Sequence, residues 1–355
     1  MRTLPVVRIR RNVRRPLGCL AIFTALAFLS VPLQSTITEG KNIQDTPGNT
    51  QTKLAPDSTT LLPQRPPLDF DGDGKTDYAV VRNVGGTLNW YIQRSTAGFL
   101  GQAWGAFATD ELVPADYDGD GKWDIAVWRN GTPGTFFILQ SATNTLRIVV
   151  FGTAGDDSRV TQDFDGDGLA DPAVSRTAGG VITWYVLRSS LGFTAATFGV
   201  SAMDISIRGD YDGDRKADYA VYRFTTSTFY VLRSSDGVLQ STTFGNSASD
   251  YRVPADFDGD GKTDIVVWRG IGAGTPGTWY WLQSSDGAFK SLNFGSGGVD
   301  KPVPGDYDGD GKSDQAVWRP GTPSNFYVNR SMTGFFSLPF GISTDIQPST
   351  NLQTR

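Results

Sequence analysis

DYDGDGKWDIAVWR, residues 116–129, sets four aspartates within nine residues and runs straight into a hydrophobic segment. So much negative charge beside something that must be buried demands a neutralising partner. The phrase recurs. DFDGDGKTDYAVVR begins at Asp69, DFDGDGLADPAVSR at Asp163, DYDGDRKADYAVYR at Asp210, DFDGDGKTDIVVWR at Asp256 and DYDGDGKSDQAVWR at Asp306. Successive copies lie 47, 47, 47, 46 and 50 residues apart, a period that belongs to propellers and solenoids.

The unit from Asp256 shows what each copy builds. Ile265–Arg269 is β-branched and aromatic, a strand by composition. Trp279–Gln283 reads as a second strand, and Ser285-Asp286-Gly287 as a tight turn, since Asp-Gly suits a type I′ hairpin. Phe289–Phe294 alternates as a third strand, and Asp300–Pro304 leads into the next acidic loop as a short fourth. Four short antiparallel strands per unit make a propeller blade. A Phe-Gly pair near the end of the third strand, an arginine closing the strand after the loop and a serine after the second strand recur in step. Glycine holds the second turn at 98, 192, 237, 287 and 334, with Asn144 in its place once; asparagine tolerates a left-handed backbone.

Six units run from Asp69 to about Gly341, and Ser343–Pro348 echoes the lead-in to a further loop that never comes. The tail is therefore expected to supply the missing strand of the first blade, whose own lead-in, QRPPL, is a poor strand former. The fold expected is all-β, a six-bladed propeller of four-stranded antiparallel blades over residues 67–348, with a short tail over 349–355. Seven blades would need residues 36–66 to build one, and that polar, Pro/Thr-rich stretch reads as a flexible linker.

Composition excludes much chemistry. Of 355 residues 39% are hydrophobic and 12% aromatic, enough to bury a core. There is no histidine, and the single cysteine, Cys19, lies in the leader. Cys/His zinc sites, Ser-His-Asp triads and thiol nucleophiles are thereby excluded from the mature protein. In residues 1–35 six arginines precede the apolar stretch Leu17–Leu33, which reads as a secretory signal peptide cleaved between Ala27 and Ser35. An uncleaved anchor is the alternative, at the short limit for spanning a bilayer. No stable membrane insertion is expected after cleavage, and the protein is expected to be secreted or held at the cell surface.

Numbered from its first aspartate, each loop carries carboxylates at positions 1, 3, 5 and 9. They are Asp69, Asp71, Asp73 and Asp77; Asp116, Asp118, Asp120 and Asp124; Asp163, Asp165, Asp167 and Asp171; Asp210, Asp212, Asp214 and Asp218; Asp256, Asp258, Asp260 and Asp264; Asp306, Asp308, Asp310 and Asp314. Hard oxygen ligands at this spacing, with a glycine at position 6, suit Ca²⁺. Position 12 is Val127 in the second loop, so this is a calcium loop on β-structure and not a helix–loop–helix site. A plain strand-capping turn would need one or two aspartates, and four this close repel one another. Without the leader's six arginines the formal charge falls from −5 to −11, and six Ca²⁺ would bring the protein near neutrality. Arg215 replaces the position-6 glycine in the fourth loop, which is expected to be the weakest site. Pro172 after Asp171 is expected to alter a strand start without removing a site.

With its Phe-Gly pairs and Val-Pro-Ala/Gly-Asp lead-ins, the DFDGDGKTD…AVWR unit resembles the FG-GAP/VCBS repeat of integrin α-subunits and many secreted bacterial proteins. The resemblance covers about residues 66–345 and implies a propeller whose calcium ligands sit at positions 1, 3, 5 and 9. It says little about biological role, because one fold hosts many functions.

Three function classes follow as expectations. The first is a secreted, calcium-stabilised adhesion, recognition or scaffold module whose partner is an extracellular protein or glycan. The second is a lectin, which requires Trp90, Trp184 and Trp279, or Trp128, Trp268 and Trp318, to face solvent; packing between blades is the plainer reading. The third, a hydrolase, needs a carboxylate pair outside the loops, and Glu111, the one glutamate past the linker, has no evident partner. No enzymatic activity is expected, and no nucleic-acid binding from an acidic chain without a basic stripe. The repeated arginines are expected to pair with Asp110, Asp157, Asp204, Asp250 and Asp300.

Overall fold

The computed structural model describes residues 65–348. The signal peptide, all but the last two residues of the linker and the 349–355 tail lie outside the described residues. Among the described residues no helix is long and apolar enough to cross a membrane.

Six antiparallel sheets follow one another along the chain and close into a ring, a six-bladed propeller. The second blade shows the pattern: Asp110–Leu112, Ile125–Arg129, Thr135–Leu139 and Leu146–Val150 pair in that order. Burial follows composition. IAVWR is buried at its first four residues, TFFIL alternates between buried and half-buried, and LRIVV alternates between exposed and half-buried. The last strand is thus the outer edge of the blade, and the lead-in strand its inner edge. In the unit from Asp256 the strands are Ile265–Arg269, Pro276–Leu282 and Phe289–Ser296, while Lys301–Pro302 joins the next sheet opposite Trp318 and Val317.

The expected type I′ hairpin is not formed. Gly287 alone takes a positive φ, +69°, whereas type I′ needs two such residues. The turn spans four residues, with Gly287 N–H donating to the Gln283 carbonyl and Gln283 N–H to that of Ala288. The longer turn has a purpose, because its backbone amides reach the acidic loop.

The ring closes as the tail predicted. Val81 and Ile346 exchange both backbone hydrogen bonds at 2.8 Å, while Arg65–Leu68 forms no strand. The third blade also reduces its inner strand to a bridge, Asp157 with Ser175, followed by a 3-10 turn over Ser158–Val160 that Asp157 caps. That local change shifts one ion pair. Arg176 pairs with Asp156, not with Asp157, which holds Arg159 instead. The other pairs are Arg129–Asp110, Arg223–Asp204, Arg269–Asp250 and Arg319–Asp300, with Arg82–Asp345 in the closing blade.

The core lies between blades. Six clusters of buried side chains each straddle two neighbours, such as Trp90 and Ile92 of the first blade with Ile125 and Val127 of the second. The glycine of the Phe-Gly pair, which is Trp104-Gly105 in the first unit, makes this contact possible. At Gly105 φ is +104°, and an added Cβ would stand 2.9 Å from Val127 Cγ1 of the next blade. The aspartate of the ion pair then accepts the following N–H, as Asp110 does from Ala106 at 2.8 Å.

Candidate metal centres

Each acidic loop is a turn whose ends meet, as where Ala115 bridges to Asp124. In the first loop Asp69 accepts from the N–H groups of Gly72 and Gly74 at 2.6 and 2.9 Å. Asp77 accepts from Phe70 N–H and, across the blade, from Ser95 N–H at 2.9 and 2.8 Å. Asp71 takes the N–H groups of Thr96 and Ala97, and Asp73 the Ser95 hydroxyl. The recurring serine is thereby explained. Ser141, Ser189, Ser234, Ser284 and Ser331 repeat both of its bonds, N–H to position 9 and hydroxyl to position 5.

These bonds leave carboxylate oxygens over. In the first four loops one oxygen each from positions 1, 3 and 9 converges to within 4.8 Å: Asp69, Asp71 and Asp77; Asp116, Asp118 and Asp124; Asp163, Asp165 and Asp171; Asp210, Asp212 and Asp218. In the fifth loop the trio is Asp256, Asp258 and Asp260. Position 5 was expected as an equal fourth ligand. In the first four loops it stands outside the convergent trio, and Asp73, Asp120, Asp167 and Asp214 bond the turn serine and the N–H of position 7. In the sixth loop Asp306 accepts from Gly309 and Gly311, Asp308 from the hairpin turn, Asp310 from Ser331 and Asp314 from Tyr307, the same arrangement as the first.

Two observations fit a cation here. Asp71 Oδ1, Asp165 Oδ1 and Asp308 Oδ1 are buried without a hydrogen-bond partner, and a buried unpaired carboxylate oxygen is costly. Burial also pushes Asp77 and Asp314 up to about 7, and Asp124, Asp171, Asp218 and Asp264 up to about 6, against the backbone N–H groups that hold them down. An oxygen-seeking divalent ion would satisfy the orphaned atoms and offset the crowded charge. The fourth loop keeps its shape despite Arg215, which takes φ +71° and donates its N–H to Asp210 at 2.8 Å as glycine does elsewhere. Pro172 removes no loop contact, and the following strand begins at Ala173.

The loops are joined. The N–H at position 8 of each donates to the position-1 carbonyl of the loop before it: Trp123 to Asp69, Ala170 to Asp116, Ala217 to Asp163, Thr263 to Asp210, Ser313 to Asp256 and Thr76 to Asp306, all at 2.6–2.7 Å. These six bonds form a closed circuit. Backbone atoms carry it, so no side-chain motif announces it.

Both tryptophan sets are fully buried: Trp90, Trp184 and Trp279, and Trp128, Trp268 and Trp318. The condition for sugar stacking on them is unmet. Among the described residues the most solvent-exposed aromatics are Phe99, Phe193, Phe289 and Phe335, 58–64% exposed, each stacked on a tyrosine of its own blade. Phe99, Phe193 and Phe335 directly follow the turn glycine, and Phe289 stands two residues after it. Glu111 Oε2 accepts from the Ser158 hydroxyl at 2.7 Å, and burial raises its pKa.

The family model of the FG-GAP-like repeat matches this chain over residues 69–127 and 256–317. No match was found among curated proteins. Among solved structures, a mutant Aleuria aurantia lectin in complex with Fucα1-6GlcNAc is 11% identical, with a TM-score of 0.48 over 74% of this chain and 91% of that one. A putative 6-phosphogluconolactonase from Bacteroides fragilis is 13% identical, with a TM-score of 0.40 over 78% of this chain and 96% of that one. The WD40 domain of Toxoplasma gondii coronin is 11% identical, with a TM-score of 0.34 over 74% and 68%.

Proposed function

We propose that this protein is a secreted or cell-surface calcium-binding propeller that acts as a recognition, adhesion or scaffold module without catalytic activity. Up to six Ca²⁺ ions would bind, one per loop, with a structural role. The observation that carries the reading is the set of buried, unpartnered oxygens at position 3, on Asp71, Asp165 and Asp308, the first two inside clusters that already hold two other aspartates. A turn built only to cap a strand has no reason to bury a carboxylate oxygen at position 3 with nothing to bond. The partner would be an extracellular protein or a glycan. With the tryptophans buried, the exposed phenylalanines of the outer strands are the aromatic surface such a partner would meet. At extracellular calcium levels, affinities of ~10⁻⁴ to 10⁻³ M suffice for occupancy.

Calorimetric titration with Ca²⁺, beside thermal melts with and without EGTA, tests the reading. Binding of close to six ions and a large fall in melting temperature on chelation are expected. No calcium binding and an unchanged melt overturn it. Protein and glycan arrays on the calcium-loaded protein then separate the two partner classes.

A further inference from the structure

The segments joining inner strands to acidic loops meet around a cavity of about 210 Å³. All six blades reach it, through Pro67, Trp123, Gln162, Arg208, Arg252 and Pro304 among others. A space touched by every repeat lies on the axis of the ring.

The chain's own repetition shows which lining residues are out of place. Two residues before the loop stands proline in four repeats, Pro67, Pro114, Pro254 and Pro304, but arginine in the fourth, Arg208. One residue before the loop the side chain is small or aliphatic in five repeats but Gln162 in the third. Both departures add hydrogen-bond donors, they fall in adjacent blades, and both line the same cavity.

These donors are not used up by the protein. Arg208 donates Nη2 to the Thr161 carbonyl at 2.6 Å, while its Nε is buried with no partner among the described residues. Gln162 Oε1 accepts from Gly209 N–H at 2.8 Å, which fixes the amide and leaves Nε2 buried and unpartnered. The Arg252 guanidinium, held over Tyr222 and Phe224 and donating to the Asp250 carbonyl, adds positive charge at the same wall. The two aspartates lining the cavity turn their carboxylates into their own loops, Asp256 to Gly259 and Gly261, Asp306 to Gly309 and Gly311. Unanswered donors beside fixed positive charge want an acceptor that carries negative charge.

We propose that the axial cavity is a binding site for a small oxyanion, held by Arg208 and Gln162 with Arg252 beside them. The volume suits this class. It lies below the ~300 Å³ at which pockets begin to take drug-sized ligands, and it has room for a carboxylate or sulfate with a few waters at ~30 Å³ each. Arg208 and Gln162 are not members of the convergent aspartate groups, and although Asp256 and Asp306 border the same cavity their carboxylates bond their own loops.

The test is calorimetry and thermal melting of the calcium-loaded protein with acetate and with sulfate, each at constant ionic strength against chloride. Two variants accompany it. Gln162→Ala installs the residue found at the same place in the second and fifth repeats, and Arg208→Gln removes the charge while keeping a long polar chain. One oxyanion per protein, a raised melting temperature and at least tenfold weaker binding in each folded variant are expected. Preference for acetate over sulfate would mark the site as one for carboxylates, and the reverse as one for tetrahedral anions. No binding beyond chloride, or binding unchanged in Gln162→Ala with its calcium stoichiometry intact, overturns the proposal.

Discussion

Val81 of the first blade and Ile346 near the chain's end exchange two backbone hydrogen bonds at 2.8 Å, and the adjacent Arg82 and Asp345 form a bidentate ion pair. Two segments separated by almost the whole propeller thus form one blade. A chain cut after Gly341 loses both links and bares an inner edge next to five intact blades, and such an edge recruits other chains. The truncated protein is expected to melt lower and to elute as dimers or larger species on size-exclusion chromatography. Asp345→Ala alone also strips Ile342 N–H of its acceptor; it is expected to cost about 1.5–3 kcal/mol by urea unfolding, as for lost charged hydrogen bonds. Monomeric, unweakened protein after truncation would contradict closure by the tail.

Acid should reveal the ion pairs. Burial works against the Asp110 carboxylate, but Arg129, Ala106 N–H and Thr109 together hold its pKa below the ordinary 3.8. A group depressed in the folded state adds stability above its unfolded pKa and loses it as pH falls through the folded value. The difference in unfolding free energy between wild type and Asp110→Asn should therefore be constant above about pH 5 and shrink toward pH 2. Using the difference at fixed calcium cancels the loops, which titrate in both proteins. A difference that does not change with pH would refute the assignment.

Much of this was legible because charge and glycine repeat at fixed places. The aspartates at 1, 3 and 9, the arginine after the loop, the turn glycine with Asn144 (φ +55°) as its stand-in and the closing tail all carry a residue-type signature. What stayed hidden is carried by the backbone or decided at long range. The circuit of N–H to carbonyl bonds joining the loops involves Trp123, Ala170 and Ser313 alike, so no side chain marks it. Ser95 was visible as a recurrence, but its partners Asp73 and Asp77 lie 22 and 18 residues away. Asp156 and Asp157 are neighbours of one type, and only the 3-10 turn that draws Asp157 aside leaves Asp156 to Arg176. Position 5 stands in the convergent trio in the fifth loop and outside it in the first four, although a turn serine bonds it in all five, so residue type and spacing alone do not place it.

The fourth loop offers a gain of stability. A residue with a Cβ pays roughly 1–2 kcal/mol in the left-handed region, where Arg215 sits at φ +71°. Glycine gives back about 0.4–1 kcal/mol through the freer unfolded chain. Arg215→Gly should stabilise the protein by up to about 1 kcal/mol in urea unfolding and, by removing a positive charge from the acidic loop, tighten the weakest calcium step in calorimetry. Neither gain would mean that this loop is strained for some end of its own.

Gly105, which stands after Trp104 where the other repeats have Phe-Gly, should prove intolerant for two separable reasons. At Gly105 the backbone stands at φ +104°, and a Cβ would meet Val127 Cγ1 at 2.9 Å and Leu88 Cδ1 at 3.0 Å. Backbone strain of about 1–3 kcal/mol and overpacking of about 1–3 kcal/mol both load Gly105→Ala. Val127→Ala makes room and so relieves only the second. The double variant should therefore be less destabilised than the two single changes summed, by at least about 0.5 kcal/mol, the scale on which contacting residues couple. Strict additivity in urea unfolding would show that strain alone excludes a side chain, and that the close approach of one blade to the next is not what the glycine is for.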